Sequence, residues 1–120
     1  MRYLLASLLN LALLAAFPTG AVAHAFLERS QPADGAALTT APTTVKLWFS
    51  RAIEPSFSRV RVVDGEGKRM DNDKPTVSDD QPKLIQVGLK PLPSGKYKVI
   101  WLIVAYDGHK AKGEFAFSVK

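Results

Sequence analysis

Two histidines, His24 and His109, are the imidazoles of this 120-residue chain, and their placement suggests metal chemistry. His24 follows a leader-like stretch, and His109 stands two residues after Asp107. If His24 became the first residue of a processed chain, its α-amine and its ring would close one chelate ring around a metal without help from the fold. Asp107-Gly108-His109 sets a carboxylate and an imidazole two positions apart, which in an extended chain project to one side. Gly108 gives the backbone the freedom to bend them together.

These groups amount to two imidazoles, one amine and one carboxylate. Such an N,N,N,O set suits the tetragonal preference of Cu(II), which also heads the divalent affinity order for these ligands. Zinc is the second choice. A Cu(I) thioether site needs several methionines, and beyond Met1 the chain has only Met70. With no cysteine, disulfides, thiolate metal sites and a cysteine-linked lipid anchor are excluded. An amine and an imidazole ionise in water at about 7.7–8.0 and about 6.5, and both must shed protons to bind metal. Metal affinity is therefore expected to fall steeply below about pH 6.

The residues that would create this site lie at the two ends of the chain. Residues 1–23 read as a signal peptide: Arg2 gives a positive start, an apolar run extends from Leu4 to Phe17, and Ala21-Val22-Ala23 has a small-x-small cleavage pattern. The run is shorter than the roughly 20 residues a bilayer-spanning helix requires, so no membrane span is expected in the processed chain. Cleavage after Ala23 leaves 97 of the 120 residues, enough for one domain, 24–120, with one modest core. Arg2 is the only charged residue of the leader, so its loss takes the sixteen Lys and Arg to fifteen, against eleven Asp and Glu, a net of +4.

That excess is spread among acidic and apolar positions and is not gathered with interleaved aromatics, which argues against a nucleic-acid partner. Past the leader no stretch has a 3.6-residue apolar stripe, whereas period-two alternation recurs between turn residues. Val45, Leu47 and Phe49 alternate with Lys46, Trp48 and Ser50, and Phe115, Phe117 and Val119 alternate with Glu114, Ala116 and Ser118. Further strands are expected over Ala25–Ser30, Ser58–Val63, Leu84–Leu89 and Lys96–Ala105. The last is apolar on both faces, as in a strand central to its sheet or covered on its second face. Met70–Lys83 reads as a long polar loop that could hold a short strand at Thr76–Ser78. Turns are expected at Pro32-Ala33-Asp34-Gly35, Asp64-Gly65-Glu66-Gly67, Pro91–Gly95 and Asp107-Gly108. The whole reads as an all-β, Greek-key sandwich or barrel of six or seven strands.

Simpler explanations cover the individual residues. Asp-Gly-His alone is commonly a turn with a surface histidine, and a histidine can follow a leader by chance. Both of two histidines falling where one metal could use them favours the site. Trp48, Trp101, Tyr97 and Tyr106 read as core or interface packing. Asp64-Gly65 reads as a hairpin turn, since no calcium-ligand series follows it. No phosphate-binding glycine loop is present, and a Ser/His/Asp triad has little support with two histidines.

Four segments now acquire a common meaning: His24-Ala25-Phe26-Leu27 after the leader; Ser30-x-Pro32-Ala33-Asp34-Gly35; Val45-Lys46-Leu47-Trp48-Phe49-Ser50; and Tyr106-Asp107-Gly108-His109-x-x-x-Gly113-x-Phe115-x-Phe117-x-Val119. Together they resemble the CopC family of periplasmic, copper-resistance proteins. The first and last segments are the specific ones, because they carry the ligands in order at opposite ends of the chain. The resemblance implies a seven-stranded, cupredoxin- or immunoglobulin-like Greek-key barrel. It also implies one Cu(II) held by the amine and ring of His24, by Asp107 and by His109.

Three features depart from the family pattern. Lys110 stands where the family often has proline, Arg51 where it often has an acidic residue after Phe-Ser, and the methionine cluster of some members is missing. Glu54 is the nearby carboxylate that could replace an acidic partner. The expected role is a periplasmic copper carrier or buffer without turnover, its partners the ion itself and an inner-membrane copper transporter or outer-membrane copper protein. Two other classes compete: a histidine-brace copper oxidase, which would show peroxide-driven oxidation or ascorbate consumption, and a metal-free immunoglobulin-like interaction domain, whose metal affinity would ignore loss of both histidines.

Overall fold

The computed structural model describes residues 25–120. The leader and His24 lie outside the described residues. Eight strands follow in order: β1 (Leu27–Gln31), β2 (Ala37–Leu38), β3 (Thr44–Phe49), β4 (Arg59–Val63), β5 (Thr76–Ser78), β6 (Gln81–Gly88), β7 (Gly95–Val104) and β8 (Lys110–Val119), with one 3-10 turn at Pro55–Phe57. They form two four-stranded sheets, ordered β1-β3-β6-β5 and β2-β8-β7-β4. All pairings are antiparallel except β2 with β8. This is the all-β, Greek-key sandwich that the alternation predicts.

The alternating residues form its interior. Val45, Leu47 and Phe49 from β3 and Ile85 and Val87 from β6 meet Val60, Val62, Val99, Ile103, Phe115 and Phe117 from the other sheet, all buried. Burying each such side chain contributes about 1.5–3 kcal/mol, and with no cysteine available this packing is the main source of stability. Tyr97 is buried with them, stacked on Phe117 at 5.4 Å, and its hydroxyl donates to the Pro93 carbonyl at 2.5 Å. Burial, aided by the charge of Asp64, pushes that phenol up from its ordinary pKa.

Several expected boundaries move. β8 starts at Lys110, immediately after the Asp107-Gly108-His109 segment, and β7 ends at Val104, so the two longest strands flank that segment as a hairpin. Thr76–Ser78 is a strand as expected, but β6 begins at Gln81, inside the stretch read as loop. Gln81, Pro82 and Lys83 are exposed, so nothing forces the apolar alternation by which a strand announces itself. β2 is two residues long and carries no period. β7 is interior to its sheet, between β8 and β4, yet its second face is open: Leu102 is exposed and Ile100 and Val104 are half-buried.

The aromatic expectations divide in the same way. Trp101 packs at the core margin, 6.2 Å from Phe49 and 5.9 Å from Phe115. Trp48 lies on the outer face of β3, with the Arg29 guanidinium 4.2 Å above its ring. Tyr106 is exposed and packs in no core.

Candidate metal centre

The hairpin between β7 and β8 turns sharply. Ala105 N–H donates to the His109 carbonyl at 2.8 Å, and Gly108 N–H to the Ala105 carbonyl at 2.9 Å. Gly108 has φ of +86°, a left-handed conformation that glycine adopts without steric cost. Asp107 and His109 thus converge through a tight turn and not, as expected, through the same-side projection of extended chain. The turn is held by the aspartate itself, whose Oδ1 accepts the His109 backbone N–H at 3.1 Å.

The imidazole completes the arrangement. His109 Nδ1 lies 3.0 Å from Asp107 Oδ1. Nδ1 is shielded from solvent and, apart from this approach to the carboxylate, has no hydrogen-bond partner among the described residues. Two ligands each about 2.0–2.1 Å from one metal and roughly at right angles are about 2.8–3.0 Å apart, so this pair fits adjacent positions around one ion. Among the described residues no group of three or more His, Cys, Asp and Glu converges, so these two residues alone would not complete a metal's coordination.

The second oxygen of Asp107 is taken. Arg51 Nη1 donates to Oδ2 at 2.5 Å, from a residue 56 positions earlier. Arg51 follows β3, and its loop is tied to the site hairpin by the Tyr106 N–H donating to the Ala52 carbonyl at 3.2 Å and by a β-bridge between Ile53 and Ala105. The His109 backbone N–H does most to hold the Asp107 carboxyl below its ordinary pKa. Partial desolvation opposes it, and the His109 ring and the Arg51 guanidinium add to the lowering. Asp107 is therefore an anion ready to accept at neutral pH.

The chain enters the described structure beside this loop. Ala25 is buried, and Phe26 pairs with Ser50 twice, its N–H on the Ser50 hydroxyl at 3.0 Å and its carbonyl accepting the Ser50 N–H at 3.0 Å. Ser50 precedes Arg51, and Ala25, Phe26 and Leu27 share a shallow cleft with Lys110, Ala111 and Lys112, which follow His109. His24 itself lies outside the described residues. Glu54, the expected substitute carboxylate, is engaged elsewhere: its Oε1 accepts the Ser56 N–H at 3.1 Å and caps the 3-10 turn. The partner that sequence reasoning missed is Arg51. Its position after Phe-Ser marked a departure from the pattern, but nothing local indicates its contact with Asp107.

This arrangement can present an anionic oxygen and an imidazole nitrogen to a borderline divalent cation. Comparisons with known proteins show what the whole chain is similar to. The CopC domain family matches residues 27–120. A copper transport protein, CutJ of Bacillus subtilis, is 33% identical over 103 residues, 85% of this chain but 19% of that longer protein. A copper resistance protein C of Xanthomonas campestris pv. juglandis is 35% identical over 106 residues, covering 83% of each chain. The crystal structure of CopC from Methylosinus trichosporium OB3b superposes with a TM-score of 0.76 at 28% identity, over 81% of this chain and 94% of that one. The chain belongs to the CopC family.

Proposed function

We propose that this protein handles copper as a periplasmic Cu(II) carrier or buffer, exported by cleavage after Ala23 and holding one Cu(II) through the amine and ring of His24, Asp107 and His109. The observation that carries the reading is the convergence of Asp107 Oδ1 and the solvent-shielded His109 Nδ1, 3.0 Å apart, in a turn beside the start of the described chain. His24 immediately precedes Ala25, which lines the same cleft as Lys110 and Ala111, the residues that follow His109. Two imidazoles, an amine and a carboxylate suit the tetragonal preference of Cu(II). The names and shared fold of its relatives support a role in copper homeostasis or resistance. No turnover is proposed. Partners of this reading are the ion and a membrane copper protein that supplies or receives it.

The testing experiment is electron paramagnetic resonance of the processed protein, beginning at His24, with one equivalent of Cu(II), beside the same protein carrying one extra N-terminal residue. The expected spectrum is tetragonal with nitrogen hyperfine structure, and the extension alters it by removing the histidine amine from the chelate. Identical or aquo-like spectra from both proteins would eliminate the N-terminal copper site.

A further inference from the structure

The two oxygens of Asp107 have different partners. Oδ1 accepts the His109 N–H and faces His109 Nδ1, while Oδ2 receives Arg51 Nη1. We propose that Arg51 is a positioning residue of the metal centre, occupying Oδ2 so that Asp107 offers the metal Oδ1 alone. This rests on the reading of Asp107 and His109 as ligands.

A carboxylate can bind a metal through one oxygen or both, and rotation about its last torsion interchanges them. The guanidinium stops that rotation with a charge-assisted hydrogen bond, stronger and more directional than a neutral one. An exposed ion pair usually achieves little, because two long side chains must be immobilised to form it. Here the Arg51 backbone is already held. Ser50 is tied to Phe26, Ile53 N–H donates to the Pro82 carbonyl at 2.8 Å, and the Ala52 carbonyl accepts from Tyr106. The Arg51 and Asp107 side chains are also only 34% and 38% exposed.

Arg51 could instead act as a competitor, its positive charge repelling the ion. The geometry favours positioning, because arginine and metal would use different oxygens and need not displace each other. Residues holding a ligand from behind typically contribute 10–100-fold in metal affinity. The two roles predict opposite signs, so one experiment separates them.

The experiment measures Cu(II) dissociation by transfer to a chelator, together with the Cu(II) paramagnetic resonance spectrum, for the processed protein and its R51A, R51Q and R51K variants. Positioning predicts that R51A loses copper roughly tenfold to a hundredfold faster. Its spectrum should change as the carboxylate gains freedom, and R51K, which retains a charged donor, should restore part of both. Slower loss from R51A with the parental spectrum would establish competition and overturn the proposal; unchanged rate and spectrum would overturn it also. Circular dichroism establishes that each variant is folded, and R51Q serves in place of R51A if alanine prevents folding. A D107A,H109A variant separates the two levels. If it binds copper as the parent does, the ligand reading and the Arg51 proposal fall together; if it loses copper while R51A is unaffected, only the Arg51 role falls.

Discussion

Asp71 and Asp107 are built from the same parts and end in opposite states. Each accepts the backbone N–H of the residue two positions on, Asp71 Oδ2 from Asp73 at 3.0 Å and Asp107 Oδ1 from His109 at 3.1 Å. Each is also paired with an arginine, Asp71 with Arg69 at 2.7 Å and Asp107 with Arg51 at 2.5 Å. Asp71, however, has a side-chain exposure of 0%, and its Oδ1 accepts the Val62 N–H at 2.9 Å as well as Arg69 Nε at 3.3 Å. Its acceptor capacity is consumed in closing the edge of β4. Asp107, 38% exposed, keeps an oxygen turned toward the His109 imidazole nitrogen. Exposure and residual capacity, not residue type, separate a structural carboxylate from a candidate ligand.

Replacing the two aspartates one at a time should separate those roles most clearly. Asp71→Ala leaves the Val62 and Asp73 N–H groups and the partly exposed Arg69 without their partner, and a desolvated N–H left unsatisfied costs about 1–3 kcal/mol. That is a large share of the roughly 5–15 kcal/mol that holds an ordinary domain together. Asp107→Ala should leave the unfolding free energy nearly unchanged while removing most Cu(II) affinity. Urea unfolding and copper titration of both variants check this; equal destabilisation by the two would dissolve the contrast.

Acid should separate the same two centres along the pH axis. Burial pushes the Asp71 carboxyl up, but the Arg69 side chain and the Val62 and Asp73 N–H groups outweigh it and hold the pKa below its ordinary value. The folded state thus favours the ionised form. That contribution is complete above the unfolded carboxylate value of about 3.9 and is lost as pH falls through the lower folded value. Copper should already leave below about pH 6, as amine and imidazole ligands take up protons. Circular dichroism and copper binding followed together from neutral to about pH 2 should show release well before unfolding; coincident transitions would mean that the site and the fold are one unit.

The tryptophans repeat the inside and outside contrast with smaller effects. A methyl group on Gly113 would stand 2.5 Å from Trp101 Cζ2, too close for the packed indole to remain in place. Gly113→Ala should cost about 1–3 kcal/mol, the usual range for overpacking, with a shift in tryptophan fluorescence. Arg29→Ala, which removes the cation above half-buried Trp48, should cost about 0.5–1 kcal/mol in the same denaturant assay. A larger loss from Arg29→Ala than from Gly113→Ala would reverse the assignment of which tryptophan matters to the fold.

Much of this protein was legible in its sequence because the relevant signals are local. Period-two alternation reports which face of a strand is buried, so the all-β class and the inner residues of β3, β7 and β8 could be read directly. Asp107, Gly108 and His109 are adjacent, and a glycine between two candidate ligands already suggests a turn. The start of β6 was less legible, because a strand segment exposed on both faces at Gln81–Lys83 has no burial to record.

Only the tertiary structure decided which charges meet. Arg51 reaches Asp107 because the chain crosses from one sheet to the other after β3 and bridges Ile53 to Ala105, a pairing across half the chain with no local period. The same holds for Asp71, an ordinary acid in a polar stretch until the edge of β4 buries it against Val62. A side chain's alternation is set by its immediate neighbours along the strand. Its partner is set by the register of strands far apart in sequence, which forms only when the sheets pack.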